Sequence, residues 1–425
     1  MKKLLALLAL LLTPVTAFAA DAIPTINGAD TVWVMVSAAL VFLMVPGLAM
    51  FYGGLVRKKN VLSTMMHSLV AFPIIGITWV VIGYSNAFGP DVGNKLIGNL
   101  QHMFLQGITL NSIFPGYTIP TYVFFMFQLM FAVITPALFS GAIAERVKFS
   151  SYCVFLFFWG LLIYNPLAHW VWGGGFLTGR ALDFAGGTVV HISSGISAMA
   201  LLLFLGKRRN FPAAYTPPHS LPLTLIGAGL LWFGWFGFNA GSALAANAVA
   251  GLAFINTFLA PAAAMAAWLI LDRVFVGKPT ALGAGSGMLA GLVGVTPAAG
   301  FVEPIYAIVI GIVATIICFS AVTIKNKLSA YDDSLDVFGV HGVGGMTGAI
   351  LTGVFATVGA KGLILGNVAQ VWNQVEGVLV TVGYCFIGTI IIGFLINITM
   401  GLRVSDSDEN VGLDQTQHGE SGYHM

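Results

Sequence analysis

The chemistry this 425-residue chain most visibly offers comes from two histidines in otherwise apolar runs: His191 lies eight residues after Asp183, and His341 lies eight after Asp333. Both read Val-His with a glycine four residues on, in Val190-His191 to Gly195 and Val340-His341 to Gly345. An ionisable group at the centre of a membrane-spanning run costs about 2.5 kcal/mol or more, so it marks a functional site by default. A spacing that occurs twice points to an internal repeat. A pair of buried imidazoles could be structural packing, metal ligands, a catalytic acid and base, or a relay along a permeation path. Two lone histidines without a third ligand make a poor metal site, and no cofactor is expected. No zinc-protease motif, phosphate loop or nucleophile elbow accompanies them, so an enzyme is not expected either. Neutral imidazoles bonded to each other would present one donor and one acceptor to anything passing, and the relay is the favoured reading.

Other residues near the outer end could select what passes. Trp172, in Trp170-Val171-Trp172-Gly173-Gly174-Gly175, offers an indole face that attracts a small cation through its quadrupole, although interfacial tryptophans are common. Asp183 could cap a helix N-terminus, could draw a cation by its negative potential, or could do both, with the structural role favoured. Phe127 and Phe131 stand four apart, and Phe238 lies in Trp235-Phe236-Gly237-Phe238-Asn239-Ala240-Gly241-Ser242. Among 32 phenylalanines, each alone is more often core than gate.

The elements that must position these residues are membrane helices. With 58% hydrophobic and only 8% charged residues, the chain is no soluble globule, whose charged fraction is about 25%. The order Met1-Lys2-Lys3, apolar Leu4 to Leu12, then Ala17-Phe18-Ala19 reads as a signal peptide over 1–19, with the mature N-terminus outside. The transmembrane domain is expected over 20–401 and a cytoplasmic tail over 402–425. Apolar runs predict eleven helices near 31–52, 62–86, 119–143, 150–170, 185–206, 221–240, 248–272, 280–297, 303–324, 338–357 and 376–401. Threaded from an outside N-terminus, the inner loops and tail hold thirteen Lys and Arg, against Lys95, Arg180 and Lys361 outside, as the positive-inside rule requires. The His191 helix then runs inward and the His341 helix outward. The fold class is therefore an all-α polytopic membrane protein of 11 transmembrane helices, with two inverted five-helix repeats (about 31–206 and 221–357) and a last helix outside them. Each histidine lies about 12 Å down its helix from its aspartate, near mid-membrane, where inverted repeats place a transport site. Gly283, Gly287 and Gly291, and again Gly344 and Gly348, recur at intervals that let helix backbones approach closely. Cys153, Cys318 and Cys385 fall in apolar runs and form no disulfide framework.

The run from Asp183 through His191 to Ile192, with Gly206-Lys207-Arg208 after it, resembles the signature of the ammonium transporter (Amt/Mep/Rh) family. So do Phe51 to Arg57 with Lys59-Asn60, Gly141 to Arg146, Trp235 to Ser242, Val293 to Ala298, Asp336 to Gly342, and the tail Gly412-Leu413-Asp414 with His418-Gly419-Glu420. Trp172 and the tail place it with the Amt branch. The resemblance implies an outer recruitment site of Trp172, Phe131 and Ser242 shaped by Asp183, a phenyl gate of Phe131 and Phe238, and pore histidines His191 and His341. Phe127 and Trp235 are further candidates for the vestibule. It also implies ammonium or ammonia as substrate with methylammonium as analogue, a homotrimer in the inner membrane with the C-terminus cytoplasmic, and a PII-type signal protein as partner at that face. The tail departs from the family in Asp408-Glu409-Asn410-Val411-Gly412, where a basic residue often precedes the glycine, and in Ser421-Gly422-Tyr423, where an alanine often precedes the tyrosine. No nucleic acid partner is expected. The rival functions are an ammonium sensor acting through a partner, disfavoured by the short stretch after Gly401, and a neutral ammonia gas channel.

Overall fold

A computed structural model describes residues 25–209, 211–212, 217–329 and 331–423; the expected signal peptide lies outside them. A helix occupies each of the eleven expected stretches: α1 Gly28–Leu55, α2 Lys58–Phe88, α3 Thr121–Phe139, α4 Phe149–Val171, α5 Gly187–Leu205, α6 Leu221–Gly241, α7 Ala248–Phe275, α8 Ala281–Val295, α9 Pro304–Leu328, α10 Phe338–Phe355 and α11 Val368–Thr399. Two short helices follow, α12 Asp406–Val411 and α13 Leu413–His418. Among the described residues extended pairing is confined to isolated bridges such as Val147 with Arg403. The protein is an all-α, multi-pass membrane protein.

Ten of these helices are long and apolar enough to cross a membrane. The eleventh, α8, has 15 residues, about 22 Å of helix against the roughly 30 Å of a bilayer core. Thr280 caps its start by accepting from the Gly283 N–H, and the chain leaves the helix at Thr296-Pro297. Its three regularly spaced glycines all face α7. A Cβ at Gly283 would stand 2.0 Å from an Asp272 carboxylate oxygen, at Gly287 2.6 Å from the Trp268 Cβ, and at Gly291 2.4 Å from the Ala264 Cβ. Their role is close helix packing. A short, Gly-rich helix that lies against protein needs less length than one facing lipid.

Burial sorts the bundle into centre and rim. The apolar windows of α3 and α5 are 83% buried, whereas those of α2, α7, α9 and α11 are 33% buried. Only the central helices can line a path isolated from lipid. On the rim, α11 begins eight residues earlier than expected, because its first turns carry Gln370, Asn373, Gln374 and Glu376 and read as loop. Two of these are buried and bonded: Gln374 Nε2 donates to the carbonyls of Leu182 and Ala349, its Oε1 accepts from the Leu182 N–H at 2.5 Å, and Gln370 Nε2 donates to the Arg180 carbonyl. The amides thus clamp the segment that delivers Asp183.

At one end of the bundle the tail folds back onto it. The Leu413 N–H donates to Asn60, the Ser63 N–H to Asp414, and Glu409 accepts from the Arg209 N–H and from Arg403. Beside it, Glu145 takes Arg57 in several bonds of 2.8 to 3.0 Å and faces Arg208, which in turn pairs with Asp332. Burial alone would raise the carboxyls of Glu145 and Asp332. The hydrogen bonds and charges of Arg57 and Arg208 on Glu145, and of Arg208 and Arg146 on Asp332, hold both below the ordinary range.

Candidate functional site

α5 and α10 begin alike. Asp183 accepts four backbone N–H groups, from Gly186, Gly187, Thr188 and Val189 at 2.6 to 3.0 Å. Asp333 accepts those of Val337 at 3.0 Å and Phe338 at 2.7 Å. Burial pushes Asp183 upward while its four N–H bonds oppose this. Four donors on two oxygens leave no place for a proton, so the group is a carboxylate with its lone pairs fully used. Asp333, with two N–H donors, is pushed by burial to about 6, offset in part by Lys325. After each aspartate the first helical turns are of the wide π type, Gly187–Ile192 and Phe338–Gly342, a form frequent at functional sites. His191 and His341 sit in these turns.

The glycines four residues after the histidines explain how close the two helices come. A Cβ on Gly195 would lie 2.2 Å from the Gly342 nitrogen and 2.4 Å from its Cα; one on Gly345 would meet the Gly187 carbonyl at 3.0 Å and the His191 Cβ at 3.1 Å. The backbones therefore cross at the histidines themselves. The two Nδ1 atoms are 3.2 Å apart, with ring centroids 5.2 Å apart and planes inclined by 24°. One Nδ1 must donate and the other accept, so the pair shares one proton there. The buried Nε2 of His191 has no protein partner, and the residue lines a small apolar cavity.

Outward from the histidines the aromatic residues stack into a column. Trp235 lies over His191 at 5.4 Å and donates its indole N–H to Thr296 Oγ1 at 2.9 Å. Phe238 follows at 6.1 Å from His191, and Phe131 stacks on Phe238 at 4.3 Å. Trp172 stands edge-on to Phe131 at 5.9 Å, half-buried, with its indole N–H donated to the Asp183 carbonyl at 2.9 Å. Ser242, one turn beyond Phe238, donates its hydroxyl to the Phe238 carbonyl at 2.8 Å, which leaves its oxygen free to accept. Phe127 packs edge-on against Phe131 at 4.9 Å and against Gly241, behind the column. The structure thus brings Trp172, Phe131, Phe238, Trp235, His191 and His341 into one line, with Asp183 and Ser242 at its outer end.

Beside the histidines lies this small apolar cavity, lined by Leu48, Ile134, Leu138, Leu231 and Leu289, with the histidines, Trp235, Phe238 and Tyr52 on its wall. It shares Phe51, Tyr52, Leu289 and His341 with a cavity of about 660 Å³ at the tail end of the bundle, on which Arg57, Glu145, Arg208 and Asp336 stand. Sequence reasoning missed Tyr52, whose hydroxyl donates to the Leu138 carbonyl at 2.8 Å. Its one signal was its place in the Phe51-Tyr52-Gly53-Gly54 run.

The family model described as Ammonium Transporter Family matches residues 32–423. An ammonium transporter of Bacillus subtilis is 48% identical over 400 residues, 93% of this chain and 98% of that protein. The crystal structure of Saccharomyces cerevisiae Mep2 superposes with a TM-score of 0.84 at 36% identity, covering 90% of this chain and 89% of that one. A structure titled Sensor Amt Protein gives 0.85 at 31% identity, covering 92% and 98%.

Proposed function

The chain belongs to the ammonium transporter family, and from that membership and the aromatic column we propose that it moves ammonium inward by recruiting the cation outside, deprotonating it and conducting ammonia past two histidines. Trp172 and Phe131 offer ring faces to the cation and Ser242 Oγ accepts one of its N–H bonds, while Asp183 sets the geometry and the local field. Phe131 and Phe238 form the gate, and Phe127 and Trp235 buttress it. Ammonium and potassium are alike in charge and size, so ring faces separate them poorly. Dehydrating either in an apolar passage is expensive. Ammonium alone can hand over a proton and cross the driest stretch neutral. The proton follows separately, which makes net uptake electrogenic.

The observation that carries this reading is the 3.2 Å pairing of His191 and His341 on the wall of a small apolar cavity beside a stacked phenyl pair. We place the protein in the inner membrane as a homotrimer, its two five-helix halves inverted, the N-terminus outside, and the tail cytoplasmic and open to a PII-type protein. The test is solid-supported membrane electrophysiology on proteoliposomes pulsed with ammonium or potassium. A current for ammonium alone is expected, and loss of that discrimination in His191→Ala with His341→Ala. Full, potassium-excluding flux in the double variant would refute the relay. A rapid internal pH change without current would mean a neutral ammonia channel. Binding without turnover would mean a sensor, a rival kept in view by the likeness to the structure titled Sensor Amt Protein.

A further inference from the structure

His169 lies three residues before Trp172, fully buried at the outer end of α4, and both its ring nitrogens face oxygen. Nδ1 is 3.1 Å from the Ala87 carbonyl, and Nε2 is 2.9 Å from an Asp91 carboxylate oxygen. A carbonyl and a carboxylate only accept, so both nitrogens must donate, and the ring that fits this site is the imidazolium. Asp91 is ionised for a matching reason: its other oxygen accepts from the N–H groups of Gly93 and Lys95, and the His169 hydrogen bond holds its carboxyl below the ordinary range. Asp91 thereby organises the loop that follows α2. That loop is tied to the Trp172 segment twice more, by the Trp170 indole N–H donating to the Leu96 carbonyl at 2.7 Å and by the Phe176 N–H donating to that of Lys95 at 3.2 Å.

The turn after Trp172 is built over the His169 ring. A Cβ on Gly173 would sit 2.9 Å from His169 Nδ1 and 2.0 Å from the Ala87 carbonyl, and the Gly175 N–H donates to the His169 carbonyl at 2.9 Å. The turn that carries Trp172 thus rests on a buried ring and a partly buried carboxylate that share a hydrogen bond. Among the described residues the charged partner of His169 is Asp91, whose other oxygen takes the Lys95 N–H.

We propose that His169 is a positioning residue for the outer aromatic site: as an imidazolium clamped by Asp91 it sets Trp172 against Phe131, and loss of its proton loosens that setting and weakens ammonium capture. This rests on the recruitment role given above to Trp172. The neutral ring leaves one nitrogen lone pair facing an oxygen, a repulsive contact beneath a turn with no room to adjust.

The decisive variant is Asp91→Asn. Its amide oxygen can still accept from Gly93 and Lys95, while its NH2 donates to the Nε2 lone pair of a neutral His169 that keeps Nδ1–H on Ala87. The clamp is then satisfied without charge. Apparent half-saturation for ammonium, read from transport currents as external pH goes from about 5 to about 8, is expected to rise about fivefold in the wild type relative to Asp91→Asn. The rest of the transport cycle titrates in both proteins, so the difference isolates the clamp. His169→Ala should raise half-saturation at every pH. Nitrogen-15 spectra of histidine-labelled protein in nanodiscs should show two protonated ring nitrogens for His169 in the wild type and one in Asp91→Asn. Equal pH slopes in the two proteins, or a neutral His169 in the wild type at about pH 5, would overturn the inference while leaving recruitment by Trp172 intact. A wild-type half-saturation that falls with pH would make the uncovered Asp91 a lure for cations and overturn it too. If Trp172→Ala binds ammonium like the wild type, the recruitment reading fails and the positioning role fails with it; the nitrogen spectra separate the two failures.

Discussion

Asp183→Asn changes one oxygen of the α5 cap into an NH2 group and nothing else in the covalent frame. The wild-type carboxylate holds the N–H groups of Gly186 and Gly187 on one oxygen and those of Thr188 and Val189 on the other. The amide can serve only one of these pairs. The other two N–H groups would face a donor in a buried site, and each such unsatisfied group costs about 1–3 kcal/mol, so the variant should lose about 2–6 kcal/mol of stability. The cost falls on the turn that carries His191 and on the carbonyl that orients Trp172. Thermal unfolding of purified protein in nanodiscs would read it, alongside ammonium-evoked current. Asp183→Glu keeps both oxygens, displaced by one methylene, and should fall between wild type and amide. The reasoning is refuted if Asp183→Asn melts like the wild type and loses only ammonium affinity, because that would make the carboxylate a ligand for the cation and not a cap.

Gly195→Ala should abolish most transport while leaving a folded protein: relieving contacts of 2.2 and 2.4 Å to Gly342 moves α5 and α10 apart by about an ångström, a misplacement worth about 10²-fold in rate, measurable as flux per folded molecule. Acid should release the charged clasp around Glu145 and Asp332. Glu145 and Asp332 are held below their ordinary range, so their contribution is complete above the unfolded values near 4 and is lost as pH falls through the lower folded ones; hydrogen exchange in the 57–60 and 207–209 segments should rise there before the central helices open.

The sequence displayed most of this fold because hydrocarbon is a strict solvent: a run of twenty apolar residues has few alternatives to a helix. What it concealed were places where protein replaces lipid. α8 reads as a span by composition but ends after 15 residues, since a Gly-rich helix packed on α7 is not held to bilayer thickness. The start of α11 reads as loop because glutamines are costly in lipid, yet Gln370 and Gln374 are satisfied by the chain around Arg180 and Leu182. At the site, His191 and His341 announced themselves by charge in an apolar run, and the aspartates by their shared spacing. The leucines that line the small apolar cavity could not, because nothing distinguishes a cavity-lining leucine from a lipid-facing one. Nor could His169, whose meaning depends on Asp91, a residue 78 positions away that reads as loop.

The crossing of α5 and α10 also limits how the molecule can turn over. A transporter that rocks one bundle against another needs a seam that can part around its substrate. Here main chain lies against main chain at the level of the histidines, with Gly195 on Gly342 and Gly345 on Gly187. Opening that seam would pull the imidazoles apart and flood the driest part of the path. The moving parts that remain are side chains, chiefly the stacked rings of Phe131 and Phe238. If the protein conducts ammonia as proposed, throughput is set by how often a molecule passes between two phenyl groups, and not by the swing of a domain.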